Sequence, residues 1–160
     1  MTIKIDFDFN LSQIVFSTEL RVRYAETDTM GVVYYGNYFT WFEVARTDAL
    51  RQLGYPYSLL EKDGVLLPVV EASAKYMAPF RYDDEVVIKS KIIEFSEIKI
   101  VFTYDVYKLP EMKLCTNGKT RHAFIGPDGR VLKNDPDGKI KKIAVLLNDY
   151  YANYIKTKKV

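Results

Sequence analysis

The segment RYAETDTMGVVYYGNYFTWFE, residues 23–43, contains the features that decide the fold of this chain. Asp28 and Gly31 interrupt an apolar run with residues that favour turns. Further on, apolar residues recur at steps of three and four, which predicts a helix over Tyr35–Leu53 that ends at Gly54. Apolar side chains cover most of the circumference of this helix, and this pattern predicts that the helix is buried.

An aspartate and a helix start follow each other closely in this segment. Asp28 lies on the predicted turn, shortly before the helix begins. The first backbone N–H groups of a helix have no partner within the helix and carry the positive end of its dipole. A carboxylate beside such groups is a base next to a site for a developing oxyanion, which indicates acyl transfer. An aspartate in a turn also commonly serves only to bond nearby backbone amides.

The run D-T-M-G-V-V-Y-Y-G-N-Y, Asp28–Tyr38, resembles the signature of hotdog-fold acyl-CoA thioesterases of the 4-hydroxybenzoyl-CoA thioesterase-like branch. A family-like E-V-A-R-T-D follows at 43–48. The resemblance implies an α+β hotdog fold, in which a curved antiparallel sheet wraps one long central helix. It also implies hydrolysis of an acyl-CoA thioester to free acid and CoA, by homodimers or homotetramers with sites at the dimer seam.

The same resemblance implies roles for three residues. Asp28 is the catalytic carboxylate, either as the base that activates water or as the nucleophile. Tyr35 donates its backbone N–H to the thioester oxygen, at a position where many relatives carry histidine. Gly31 turns the chain and, because it lacks a Cβ, lets a ligand approach the backbone closely. No metal or redox cofactor is expected, since CoA is part of the substrate.

Substrate contacts are expected from rings and from basic residues. The acyl pocket is expected to be lined by the rings of Tyr38, Phe42, Tyr76 and Phe80. The CoA phosphates are expected near basic residues of the later strands. The candidates are Lys89, Lys91, Lys99, Lys119 and Arg121, of which the last three are assigned to the site. Rings also form ordinary core, and strand lysines and arginines are commonly solvent-facing charges. The acyl group stays open, and an acyl-carrier protein could replace CoA as the partner.

Glu43, on the predicted helix, is a second candidate for the catalytic carboxylate. Another branch of hotdog thioesterases uses a helix glutamate instead of the loop acid. A pair with a base such as Arg46 or Arg81 is the expected role here, because a buried carboxylate needs a partner.

His122 is the only histidine and Cys115 the only cysteine. Side chains alternate along a strand, so a Cys–His pair within one strand is not expected, and one of each gives no metal-ligand spacing. A hotdog hydratase would need a histidine near Asp28, and none lies there. The other alternative is a non-catalytic acyl-CoA or acyl-carrier-protein binding module, against which the presence of Asp28 argues.

Composition excludes several other classes. The net charge of +2 is too small to indicate nucleic acid or an anionic membrane as a partner. A single cysteine excludes an intrachain disulfide and fits a reducing compartment. The first residues contain no apolar core of a signal peptide, and no run approaches the ~18 apolar residues of a membrane span. These features predict a cytoplasmic location.

The rest of the chain is predicted to complete one domain over 1–160, with a loosely held arm at 1–12 and a C-terminal helix over 139–157. Tyr57–Asp63 predicts a short helical turn. Alternating apolar residues and turn signals predict the following strands: Ile14–Tyr24, Val65–Met77, Glu85–Phe95, Ile98–Lys108, Lys113–Ile125 and a short one at Arg130–Asn134. Pro68 implies that the second of these strands is an edge strand or begins with a bulge.

Overall fold

The computed structural model describes residues 5–159 and contains one antiparallel sheet of five strands in the order β1-β3-β4-β5-β2. The strands are β1 (Phe16–Arg21), β2 (Val69–Tyr76), β3 (Glu85–Phe95), β4 (Lys99–Lys108) and β5 (Lys113–Ala123). The helices are α1 (Asn37–Gln52), α2 (Tyr57–Lys62) and α3 (Lys139–Lys158). The predicted arrangement, a long helix against an antiparallel sheet with a C-terminal helix, is confirmed.

Strand alternation places one face of the sheet against α1. Ile100, Phe102 and Tyr104 of β4 are fully buried on that face, and Phe42 of α1 stacks on the Tyr104 ring at 4.5 Å between centroids. A β-strand turns successive side chains to opposite faces, so the clean alternation of β4 identified its buried side correctly.

Several predicted strand ends are wrong. β1 is shorter at both ends, β4 begins one residue later at Lys99, and β5 ends at Ala123. β2 begins only after Pro68, because residues before it make a single bridge, Leu66 with Ile125. Arg130–Asn134 forms no strand; it contributes one isolated bridge, Val131 with Ile125.

The prediction that α1 is buried on most sides is wrong for the single chain. One face, which includes Tyr38, Trp41 and Phe42, packs on the sheet. The opposite face is open, and Val44 is 42% exposed. The helix also begins two residues later than predicted, at Asn37, with Gly36 as its N-cap.

The N-terminal arm packs on the domain over its described part, in contrast to the predicted loose arm. Phe7 lies edge-on to Phe95 at 6.0 Å, and Phe9 stacks on Tyr151 of α3 at 3.8 Å between centroids. Aromatic pairs of this kind stabilise packing beyond their buried area. Residues 1–4 of the arm lie outside the described part of the chain. Between residues 5 and 159, no helix is long and apolar enough to cross a membrane.

Candidate active site

Asp28 lies on a tight turn whose geometry is fixed by hydrogen bonds. Its backbone N–H donates to Val32 O at 2.9 Å, and Gly31 N–H donates to Asp28 O at 2.9 Å. Gly31 has φ of +73°, a left-handed backbone conformation that residues with a side chain rarely adopt. The turn therefore favours glycine at this position. The turn therefore presents the Asp28 side chain in one defined position.

One carboxylate oxygen of Asp28 is engaged and the other is available. Oδ1 accepts a hydrogen bond from Met30 N–H at 2.8 Å, which is the turn-bonding role that an aspartate commonly plays. The second oxygen has no hydrogen-bond partner within the described chain. The side chain is half-buried and borders a cavity, so the free oxygen is accessible to a ligand or to water.

Tyr35 presents an unpaired backbone N–H just before α1. No acceptor contacts this N–H within residues 5–159, whereas the Tyr35 carbonyl accepts from the Tyr76 hydroxyl at 2.9 Å. The Tyr76 contact fixes the backbone here while the Tyr35 ring stays 61% exposed. A fixed N–H beside a helix start is what an oxyanion site requires.

These groups border the same cavity, of about 360 Å³. Its wall includes Asp28, Tyr35, Tyr38 and Tyr76, together with the side chains of Met30 and Met77. Burial raises the pKa of Tyr38, so the phenol stays protonated. A mostly apolar, ring-lined cleft with one carboxylate and one free N–H is typical of a ligand site.

Two other rings predicted to line the pocket do not border this cavity. Phe42 and Phe80 are both fully buried. Phe80 packs against Trp41 at 5.5 Å and Tyr38 at 6.2 Å between ring centroids, so it supports the wall from behind.

The predicted phosphate-binding residues lie on the other face of the sheet. Lys99 pairs with Glu94 at 2.6 Å, and Arg121 pairs with Glu71 at 3.2 Å. Lys119 is exposed, and in the described part of the chain it forms no salt bridge, although its charge helps to lower the pKa of the Glu94 carboxyl. None of the three borders the Asp28 cavity of the same chain.

Comparison with known proteins identifies the family. Residues 22–149 match the model of the thioesterase-like superfamily. The chain belongs to this superfamily. It is 41% identical over 111 residues to YneP of Bacillus subtilis, a candidate acyl-CoA thioesterase, across 69% of this chain and 80% of that protein. The resemblance drawn from Asp28–Tyr38 is confirmed, and the chain is a thioester hydrolase.

Solved structures agree with this family. A DHNA-CoA thioesterase from Staphylococcus aureus superposes with a TM-score of 0.78 at 32% identity, over 87% of this chain and 94% of that one. A 4-hydroxybenzoyl-CoA thioesterase superposes with a TM-score of 0.69 at 22% identity, over 79% and 96% of the two chains. The latter likeness shows the hotdog fold alone.

Glu43, the second candidate carboxylate, lies on the exposed side of α1. Its side chain is 67% exposed, and its carboxylate lies 3.5 Å from the guanidinium of Arg46. This contact is one of the two pairings that were expected. The other expected base, Arg81, donates instead to Gly31 O at 3.4 Å. The pair was expected because a buried carboxylate needs a partner. That reason is wrong, because Glu43 is not buried.

His122 and Cys115 take no part in the Asp28 cavity. Both are fully buried, and the Cys115 thiol donates to Lys113 O at 3.3 Å. Over residues 5–159, no group of three or more His, Cys, Asp or Glu side chains could hold a metal ion.

Glu26 is a residue that the sequence analysis missed. Its buried carboxylate accepts from Trp41 Nε1–H at 2.9 Å and from two groups of Arg23, the backbone N–H at 2.8 Å and the guanidinium at 3.0 Å. Its carbonyl accepts from the side chain of Asn37 and the backbone N–H of Tyr34. Glu26 thereby joins the Asp28 turn to the start of α1. A buried indole N–H needs an acceptor, so the presence of Trp41 was the feature of the sequence that could have indicated a buried acceptor such as Glu26.

Hydrogen bonds decide the protonation of Glu26. Burial raises its pKa, but the donors from Arg23 and Trp41 outweigh burial and hold the pKa below its ordinary value. A carboxylate whose pKa is depressed by folding stabilises the fold above its unfolded pKa, and this contribution disappears as the pH falls.

Replacing Glu26 tests this anchoring role. Glu26→Gln removes the charge from the hydrogen bonds, and we expect the free energy of unfolding at pH 7 to fall by about 1.5–3 kcal/mol. The difference from the wild type should shrink as the pH falls below about 4.3, the unfolded pKa of glutamate. Urea denaturation across this pH range measures both effects.

Glu43→Gln is the matched control, since it removes another glutamate–arginine contact at a spacing of three residues. Its side chain is exposed, so we expect a change below about 1 kcal/mol. A pH-independent loss for Glu26→Gln would contradict a charged, anchoring Glu26.

Proposed function

We propose that this chain hydrolyses acyl-CoA thioesters to a free acid and CoA, with Asp28 as the catalytic carboxylate. The observation that carries the proposal is one cavity bordered by both the free Asp28 oxygen and the Tyr35 residue whose backbone N–H is unpaired. YneP, named as a candidate acyl-CoA thioesterase, supports CoA as the carrier. An acyl-carrier protein is the alternative carrier.

The reaction follows from the two groups. The thioester carbonyl oxygen accepts a hydrogen bond from Tyr35 N–H, which stabilises the negative charge that develops on it. Asp28 accepts a proton from a water molecule as the water oxygen attacks the carbonyl carbon. The C–S bond then breaks, and the CoA thiolate leaves and takes up a proton. This scheme requires no metal or redox cofactor.

The second role for Asp28, as nucleophile, predicts a different fate for oxygen if water attacks the Asp28 carbonyl of the intermediate. Direct attack by the carboxylate gives an acyl–Asp28 anhydride, and water then cleaves it. Attack of that water on the Asp28 carbonyl would leave solvent oxygen on the enzyme and a carboxylate oxygen in the acid. A single turnover in ¹⁸O-labelled water with mass analysis of the peptide containing Asp28 distinguishes this route from the water-activating one.

The acyl group is proposed to enter the cavity between the rings of Tyr35, Tyr38 and Tyr76. These rings and the nearby methionine side chains suit an apolar or aromatic acyl group. The structurally similar proteins named above act on DHNA-CoA and 4-hydroxybenzoyl-CoA. A panel of aromatic and aliphatic thioesters of CoA and of acyl-carrier protein, ranked by kcat/KM, assigns the acyl group and the carrier.

The CoA phosphates are proposed to contact basic residues of β4 and β5. Among Lys99, Lys119 and Arg121, Lys119 is the one that forms no salt bridge in the described chain, although its charge helps to lower the pKa of the Glu94 carboxyl. Since these residues and the Asp28 cavity lie on different faces of one chain, we propose that a second copy brings them together. We also propose a cytoplasmic location, on the basis of the single cysteine.

A homodimer is proposed because β2 is an unprotected edge. All but one residue of β2 is exposed, and the exposed side chains include Val69, Val70 and Tyr76. An open edge strand with apolar side chains is a template for pairing with another chain. Pairing of two β2 edges would also bring a second chain next to the Asp28 cavity, which Tyr76 borders.

Replacing Asp28 tests the catalytic role. Asp28→Asn keeps an oxygen that can accept from Met30 N–H but removes the base, so we expect kcat to fall by at least ~100-fold. Binding of an uncleavable acyl-CoA analogue should be retained, because the cavity is intact. Release of free CoA thiol measures turnover, and calorimetry measures binding.

Glu43→Gln is the control for this experiment. We expect it to fold normally and to keep most of its activity, since Glu43 is exposed and does not border the Asp28 cavity. An active Asp28→Asn variant together with an inactive, folded Glu43→Gln variant would assign the chemistry to the helix glutamate instead.

The oligomeric state is a separate prediction. Sedimentation equilibrium at micromolar concentration should give a multiple of the 18.6 kDa monomer, and Val70→Lys should shift the protein toward monomer. Val145→Lys on α3 is the matched control, because Val145 is 57% exposed and Val70 is 52% exposed. A wild-type monomer, or equal behaviour of the two variants, would contradict pairing through β2.

A further inference from the structure

A second cavity, of about 220 Å³, lies between α1 and the sheet and is more enclosed than the one at Asp28. Its wall includes Leu50, Leu67 and Phe102 on the apolar side. Two basic groups also border it, the side chains of Arg46 and His122, together with one carboxylate, that of Glu43. The cavity therefore combines an apolar body with polar groups at one place, which is the composition of a small-molecule site.

Phe42 separates the two cavities. Tyr38, Phe42 and Arg46 follow one another at four-residue spacing, so they lie in a row along one side of α1. Tyr38 borders the first cavity and Arg46 the second. Between them, the Phe42 ring stacks on Tyr104 and occupies the space above Gly118, where any Cβ would overlap it.

The hydrogen bonds of His122 define its protonation. Burial lowers the pKa of His122 to about 4, with the positive charge of Arg46 as the next cause, so the ring is neutral at neutral pH. His122 Nδ1 lies 3.2 Å from Leu67 O, which can only accept, so Nδ1 carries the proton. Nε2 is then an acceptor, and the Thr120 hydroxyl donates to it at 2.8 Å.

The donor–acceptor order of these hydrogen bonds can be followed from His122 towards Arg46. Because the Thr120 hydroxyl donates to His122, its oxygen accepts from the Tyr104 hydroxyl at 2.7 Å. Burial raises the pKa of Tyr104 to about 12, and the guanidinium of Arg46 opposes this rise. The Tyr104 oxygen is thus oriented to accept from Arg46. The buried hydrogen-bond network therefore positions the guanidinium of Arg46. None of the network residues carries a negative charge that could neutralise it.

Arg46 has one carboxylate partner in the described chain, Glu43, which borders the same cavity. Its side chain is 14% exposed, and in the described chain its carboxylate contact is Glu43 at 3.5 Å. Glu43 is itself largely in solvent, so it neutralises the guanidinium weakly. A nearly buried charge whose carboxylate partner is largely solvated is only partly compensated, and an entering carboxylate would strengthen that compensation.

We propose that this cavity binds an organic monocarboxylate, with the carboxylate on Arg46 and the apolar body against Leu50, Leu67 and Phe102. The planar guanidinium matches a carboxylate through two parallel hydrogen bonds. The ligand has the chemistry of the free acids that thioester hydrolysis releases. Binding here needs no turnover, so the proposal stands or falls independently of the role of Asp28.

Methyl NMR on the full chain tests the site. Hexanoate and benzoate are added to protein labelled at the leucine and methionine methyl groups, with hexanamide and benzamide as uncharged probes. We expect the acids to shift the Leu50 and Leu67 methyl signals and to bind at least about tenfold more tightly than the amides, because the amides lack the charge for Arg46. Shifts confined to Met30 and Met77 would place the acid at the Asp28 cavity and overturn the proposal.

Variants of α1 identify the anchor. Arg46→Met should weaken acid binding by at least about tenfold and leave the amides unaffected. Arg51→Met is the matched control, because Arg51 also pairs with a carboxylate three residues earlier on α1, at 2.9 Å, but is exposed. Equal affinity of the wild type and folded Arg46→Met would overturn the proposal, as would acid binding weaker than ~10 mM in the wild type.

Glu43→Gln gives a result that does not depend on the folding of an arginine variant. Because it removes the competing carboxylate, acid binding should become several-fold tighter, with no change for the amides. Unchanged or weaker acid binding would contradict a ligand carboxylate on Arg46.

Discussion

The buried carboxylate of Glu26 joins the two halves of the candidate active site. The carboxylate accepts a hydrogen bond from the indole N–H of Trp41 on α1. The backbone carbonyl of Glu26 accepts another from the side chain of Asn37 at the helix start. The turn that carries Asp28 follows directly, and the unpaired N–H of Tyr35 lies between that turn and the helix. An unpartnered carboxylate in this position would be strongly destabilising, so the turn and the helix must pack in one relative position. The placement of Asp28, the proposed catalytic carboxylate, beside the Tyr35 N–H depends on this one interaction.

Much of the fold could be predicted because its periodicities are local. The alternation along β4 identified the buried face, and the bounds of β3 match the prediction at both ends. The errors arise where pairing is not local. Nothing near Arg130–Asn134 shows that it lacks a partner strand, and the apolar character of α1 did not show that a single chain covers only one of its faces. The exposed β2 edge is a surface that the proposed dimer would cover.

The site could be predicted only in part. The motif singled out Asp28 and Tyr35, and Tyr38 was expected among the rings of the acyl pocket. All three border one cavity, because they belong to one continuous segment. Tyr76 comes from a distant strand and also borders this cavity. Glu26 was missed because its partners become visible only when the chain folds back on itself. The same limit applies to the cavity behind Phe42, whose wall combines residues of α1, β4, β5 and the segment before β2.

The central claim is that the thioester carbonyl binds at the start of α1, beside the Asp28 turn. A crystal structure of the Asp28→Asn variant with an uncleaved acyl-CoA tests it most directly. The account predicts the carbonyl oxygen about 2.7–3.1 Å from the backbone nitrogen of Tyr35, with the side chain at position 28 facing the carbonyl carbon. A thioester bound next to Glu43, with the Tyr35 N–H still unpaired, would contradict it.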